Sequence, residues 1–167
     1  LMRTGEPPFV PSQNDRERCS FYDCFPFEYP TGGVGDYRES CLGIRTAGGH
    51  VGSMLSYLSH EIFAGKPALE GLPATFGTEE ECTTLKIVCC DSYVGMQVEL
   101  LYTVFHDNDA ITRSVKVTNT GEAPFYLTKV YSACIDMDNR DCDMVSLHGS
   151  WARERHIQRK TLGYGIQ

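Results

Sequence analysis

From about Cys41 onward, polar and apolar residues trade places every residue or two, and no stretch carries the apolar stripe of an amphipathic helix. Met96-Gln97-Val98-Glu99-Leu100-Leu101-Tyr102-Thr103-Val104-Phe105 alternates through much of its length and predicts a strand. Ile111-Thr112-Arg113-Ser114-Val115-Lys116-Val117-Thr118 keeps its apolar residues on one face in period two. His106-Asp107-Asn108-Asp109 predicts a polar turn between these strands, and Asn119-Thr120-Gly121-Glu122 a turn after them. Residues 54–63 and 84–90, the latter rich in β-branched side chains, predict two earlier strands, and 125–135 a later one. Consecutive strands on short turns predict antiparallel meanders in one or two large sheets. Residues 65–75 and 29–38 read as loops. Residues 1–40, with Pro7, Pro8, Pro11, Pro26 and Pro30, read as an extended loop segment, and 41–167 as the β domain, both parts of one domain.

At 167 residues, 41% of them hydrophobic, the chain makes one domain or part of a larger protein. A net charge of −7 without a run of Lys or Arg argues against a nucleic-acid partner. No apolar run is long enough for a membrane span, and no signal-peptide pattern opens the chain. The first residue, Leu1, and the polar, proline-containing segment after it read as a start inside a longer protein. Eight cysteines occur, none in a C-x-x-C pair and none at zinc-ligand spacing from a histidine. Cys89 and Cys90 are strand neighbours that point to opposite faces, poorly placed to chelate one ion. The cysteines read as small buried hydrophobes with free thiols in a reducing cytoplasm, and no metal or other cofactor is expected. Asp136, Asp138, Asp141 and Asp143 lack the glycine and terminal glutamate of a calcium loop and read as a solvated turn. The glycines of 29–38 do not have nucleotide-loop spacing.

The most distinctive chemistry lies in Ser146-Leu147-His148-Gly149-Ser150-Trp151-Ala152-Arg153-Glu154-Arg155, which holds the single tryptophan. A flat apolar ring beside planar charged donors suits a sugar, which has an apolar face and a hydroxyl rim. The same residues equally suit a half-buried tryptophan with a solvated charged rim. In an extended run Arg153 and Arg155 share one face, away from Glu154. His148 reads as a structural histidine.

Six segments, in order, resemble one family. Glu28-Tyr29-Pro30-x-x-Gly33-x-Gly35-Asp36-Tyr37-Arg38 and Gly65-Lys66-Pro67-x-Leu69-x-Gly71-Leu72-Pro73-Ala74 are similar to the N-terminal domain of glycoside hydrolase family 36 α-galactosidases. Ile111-Thr112-Arg113-Ser114-Val115, Ser132-Ala133-Cys134-x-Asp136, the stretch 147–155 and Leu162-Gly163-Tyr164-Gly165-Ile166-Gln167 complete the resemblance over nearly the whole chain. It implies an all-β fold, a large antiparallel two-sheet supersandwich of the galactose mutarotase-like kind, with the family's first strands lying before Leu1. A (β/α)₈ barrel and a small β domain would follow. The implied chemistry is retaining hydrolysis of terminal α-galactosides such as melibiose and raffinose by two barrel aspartates, so no catalytic residue is expected in this chain.

The resemblance also implies site residues and partners. Trp151 matches a tryptophan that forms a wall of the sugar pocket. Glu6, Phe9 and Glu17-Arg18 match a pocket-mouth loop of an acid, an aromatic and an Asp-Arg pair. The family's acid at the place of Glu6 is commonly Asp, and the longer side chain shifts any hydrogen bond to a sugar hydroxyl. Arg18 is expected either to donate to a sugar hydroxyl or to pair with an acid across a subunit boundary. Asp36 and Arg38 read as a structural ion pair or backbone caps. The expected partners are an α-galactoside oligosaccharide, the protein's own barrel and three further copies in a homotetramer. The alternative is a non-enzymatic carbohydrate-binding β-sandwich module. A relative acting on α-N-acetylgalactosamine, or transferring galactose, is a variant within the enzyme class.

Overall fold

A computed structural model describes residues 27–33, 39–71, 74–135 and 141–163. The described residues contain eight strands and no helix: β1 (Leu42–Thr46), β2 (Ser56–Ala64), β3 (Cys82–Asp91), β4 (Met96–Phe105), β5 (Ile111–Asn119), β6 (Phe125–Val130), β7 (Asp143–Ser150) and β8 (Arg153–Thr161). The chain divides into two compact units, Leu1–Cys134 and Ile135–Gln167.

In the first unit β2, β3, β4 and β5 form an antiparallel meander in that order, and β1 pairs antiparallel with β6. The antiparallel meander is the one the sequence pattern predicts, and the all-β, two-sheet architecture is the one the resemblance implies. The pairing aligns side chains of like character across strands. Leu100 lies between Ile87 and Val115, and Val98 between Cys89 and Val117. Period two then puts Met96, Val98 and Leu100 on one face with Ile87, Val115 and Val117, where they meet Leu42 and Ile44 of β1. Leu42, Met96 and Val98 are fully buried. Each such burial contributes about 1.5–3 kcal/mol. The opposite face carries charges, with Lys86 2.6 Å from Glu61 and Lys116 3.6 Å from Glu99.

One buried polar pair lies off the apolar face. Thr84 and Thr103 are 0% and 2% exposed. Their hydroxyls are 2.8 Å apart, and Thr84 Oγ1 also donates to the Gly65 carbonyl at 2.6 Å. This bond ties the loop after β2 to the middle of the sheet.

The segment before β1 is clamped onto the sheet. Arg113 Nη1 and the Tyr102 hydroxyl both donate to Glu28 Oε1 at 2.8 Å. The Arg113 guanidinium also lies 4.7 Å from the Tyr102 ring centre and 5.9 Å from that of Tyr29. Tyr29 is buried, and its hydroxyl donates to the Tyr131 carbonyl at 2.9 Å. Burial, reinforced by Cys41 and opposed by Arg113, pushes its pKa up to about 12.

Strand β6 is shorter than the 125–135 run. It ends at Val130, opposite Leu42 where β1 begins. Tyr131 still donates its N–H to the Cys41 carbonyl, but its own carbonyl accepts from the Tyr29 hydroxyl and not from a strand neighbour. The expected strands at 54–63, 84–90, 96–105 and 111–118 correspond to β2 to β5 with small shifts at the ends.

Thr84→Val should leave the Thr103 hydroxyl and the Gly65 carbonyl without their partner and destabilise the chain by about 1–3 kcal/mol, read as a lower urea midpoint at unchanged slope. Alkali should act through Tyr29. Its folded pKa exceeds the ordinary 10.0, so unfolded chains lose the proton first and stability falls as pH rises from about 10 towards 12. A Tyr29→Phe chain should show a flatter stability profile over that window in urea melts followed by circular dichroism.

Candidate functional site

The second unit is an antiparallel hairpin. Asp143 opposes Thr161, Leu147 opposes Ile157 and His148 opposes His156, and the register then shifts so that Ser150 opposes Arg153. Glu154 and Arg155 together face Gly149, which makes a bulge. Arg155 and Ala152 take left-handed backbone, with φ of 63° and 62°. Gly149 admits no side chain, since a Cβ would collide with the Arg153 carbonyl and lie 2.7 Å from the Glu154 Cα. The Ala152 N–H donates to Glu154 Oε1 at 3.1 Å. These constraints all act on the residues around Trp151, which occupies the turn and is 92% exposed. Non-glycine residues held in left-handed backbone cost about 1–3 kcal/mol each and gather at functional positions.

Among the described residues Trp151 is exposed and not half-buried. Its indole offers an open face for an apolar ring, with arginine donors a few residues away. The bulge also corrects one expectation. Arg153 and Arg155 do not alternate simply with Glu154, because Arg155 turns left-handed at the extra residue and breaks period two. His148 Nε2 lies 2.8 Å from Ser146 Oγ on the hairpin surface. Asp143 holds Arg159 at 2.5 Å. Below the tip, Val145, Leu147 and Ile157 share one face and are 59%, 64% and 74% exposed.

Glu6, Phe9 and Arg18 lie outside the described residues, as do Glu17, Asp36, Arg38, Asp136 and Asp138. Trp151 is the expected site residue that the structure places.

A recess in the first unit was not foreseen from the sequence. It has a volume of about 660 Å3 between the turn after β3, the segment leading into β2 and the segment before β1. Tyr93, His50, Ser53, Tyr57 and Asp91 are among its lining residues. Asp91 is 6% exposed, and its carboxylate accepts the backbone N–H groups of Met54 at 2.9 Å and of Tyr93 and Val94 at 3.0 Å each. Tyr93 is 83% exposed and meets the His50 ring edge-on, with centroids 5.3 Å apart. The Ser53 hydroxyl is sealed from solvent and has no hydrogen-bond partner among the described residues. A sequence signal existed in Asp91-Ser92-Tyr93-Val94-Gly95, since an aspartate two and three residues before free N–H groups closes an Asx turn.

An antiparallel β-sandwich unit, joined in sequence to a hairpin that displays an aromatic ring, is the class of domain this chain presents. The profile of the Glycosyl hydrolase family 36 N-terminal domain matches residues 3–167, and the chain belongs to that family. A probable alpha-galactosidase G of Aspergillus terreus is 44% identical over 140 residues, covering 84% of this chain and 19% of that protein. The bifunctional alpha-galactosidase/sucrose kinase AgaSK of Mediterraneibacter gnavus is 40% identical over 149 residues, covering 89% and 16%. The crystal structure of the GH36 alpha-galactosidase AgaA from Geobacillus stearothermophilus superposes with a TM-score of 0.83 at 36% identity, covering 100% of this chain and 23% of that one. An AgaA variant has also been solved in complex with raffinose. The chain thus spans about a fifth of the length of these relatives.

Gly149→Ala should force the hairpin tip open. We expect amide exchange across β7 and β8 to quicken by about tenfold or more, equivalent to ~1.4 kcal/mol of strain, while the amides of β3 and β4 keep their protection in the same measurement.

Proposed function

We propose that this chain is the N-terminal, non-catalytic domain of a retaining α-galactosidase that hydrolyses terminal α-galactosides of the melibiose and raffinose type. Trp151 forms part of the wall of the sugar pocket. The observation that carries this reading is a single tryptophan 92% exposed on a turn fixed by a bulge, two left-handed residues and an obligate glycine. A chain does not gain stability by holding an indole in water, so the stacking partner is external to the residues around it. The galactose ring supplies one, and closing the indole over it also excludes water from the reacting bond.

Glu6, Phe9 and Arg18 complete the proposed pocket mouth by their match to the family's loop. The bond-breaking carboxylates belong to the barrel of the longer protein, where a pair of them supports retention. The exposed stripe of Val145, Leu147 and Ile157 supports a role for the hairpin in assembly, and the proposed assembly is a tetramer. The proposed compartment is the cytoplasm. The free thiols of Cys82, Cys89 and Cys90 suit a reducing environment. Burial, aided by the neighbouring Cys90, pushes the Cys89 thiol up and keeps it unreactive.

In the full-length protein, Trp151→Ala should lower kcat/KM on an aryl α-galactoside about tenfold or more, the equivalent of ~1.4 kcal/mol of lost stacking. The melting temperature should stay within about 2 °C, because an exposed side chain contributes little to stability. A pure stability loss with unchanged kinetics would return Trp151 to a packing role. Hydrolysis of the same substrate by the 167-residue chain alone would place the catalytic groups within it.

A further inference from the structure

We propose that the recess beside the β3–β4 turn binds a galactose ring, with Tyr93 as the stacking surface and Asp91 and Ser53 as its polar contacts. The inference rests on the reading of the parent protein as one that handles galactosides. The recess has the size of a small-ligand site.

Its parts are fixed before any ligand arrives. Three backbone N–H groups hold the Asp91 carboxylate in one orientation. A carboxylate has roughly four acceptor positions, so one remains for a ligand hydroxyl. The same turn contributes Tyr93, whose ring meets that of His50 in an edge-type contact and is 83% exposed. Ser53 precedes the residue whose N–H meets Asp91 Oδ2, which brings its partnerless hydroxyl into the same floor. A ligand hydroxyl that reached it would end its isolation. Tyr57 also lines the recess, is 62% exposed, and its hydroxyl is 2.6 Å from His60 Nδ1.

The chemistry selects a neutral polyol with one apolar face. A buried carboxylate in a chain of net charge −7 disfavours phosphate and other anions. Galactose, with O4 axial, gathers the C–H groups of C3, C4 and C5 and the C6 carbon on one face, which lies flat on a tyrosine. The hydroxyls on the opposite edge then reach an acceptor and a serine. Glucose, with O4 equatorial, lacks that continuous face.

The test is hydrogen–deuterium exchange on the full-length protein with D-galactose as the probe and D-glucose as the control. The Met54, Tyr93 and Val94 amides should exchange about fivefold more slowly with saturating galactose and be unchanged by glucose. Tyr93→Phe should keep the effect and Tyr93→Ala abolish it. Three results would overturn the site: no slowing with galactose, equal slowing with glucose, or slowing that persists in Tyr93→Ala. Aryl α-galactosidase activity measured on the same sample separates the two claims. An active protein whose recess shows no slowing overturns the recess alone. An inactive protein with selective slowing supports the recess and overturns the enzymatic reading.

Discussion

Strand β4 lies between β3 and β5, and its even-numbered side chains Met96, Val98 and Leu100 all enter the core. Their placement depends on one constraint, the period of two in an extended backbone held by neighbours on both sides. A slip of one residue in either ladder would turn these three side chains outward and bring Gln97, Glu99 and Leu101 inward. Burying Glu99 without Lys116 would cost several kcal/mol. The register is therefore set from both faces, by apolar burial on one and by charge pairing on the other. The covering strands β1 and β6 depend on it, because Leu42 and Ile44 pack on the surface that β4 presents.

That constraint explains which parts were legible in the sequence. The runs 96–105 and 111–118 repeat it over enough residues to be read directly, and β4 and β5 lie where they were expected. Strand β1 is five residues beginning Leu42-Gly43-Ile44, too short for a period to stand out. The end of β6 was illegible for a different reason. The Tyr131 carbonyl accepts from Tyr29, 102 residues earlier, and no local pattern encodes so distant a bond. The same holds for the clamp of Glu28 on Tyr102 and Arg113, where an acid in a proline-rich loop meets a base on a strand.

The candidate site divides in the same way. Trp151 stands out in the sequence because it is unique and sits among charged residues, but the alternation read for Arg153 and Arg155 misses the bulge beside it. The bulge opposite Gly149 requires left-handed backbone at Arg155, a residue type that rarely adopts it. Sequence pattern assigns strands by default conformations, so a site built from exceptions to them is the part it reads least well. The recess is a further case. Its residues come from the segment before β1, the segment leading into β2 and the turn after β3, the last two 37 positions apart where Met54 meets Asp91.

The two aromatic surfaces are supported by different physics. Tyr93 rests on a turn whose aspartate has already satisfied three backbone donors, so its orientation is a by-product of good local hydrogen bonding. Trp151 rests on a turn with two strained residues and little burial, so its orientation is held against local preference. A two-stranded ribbon alone is marginal in water, and Val145, Leu147 and Ile157 are not covered within the hairpin itself. A surface laid on that face would lend the tip rigidity. Any change there would reach Trp151 through the bulge opposite Gly149.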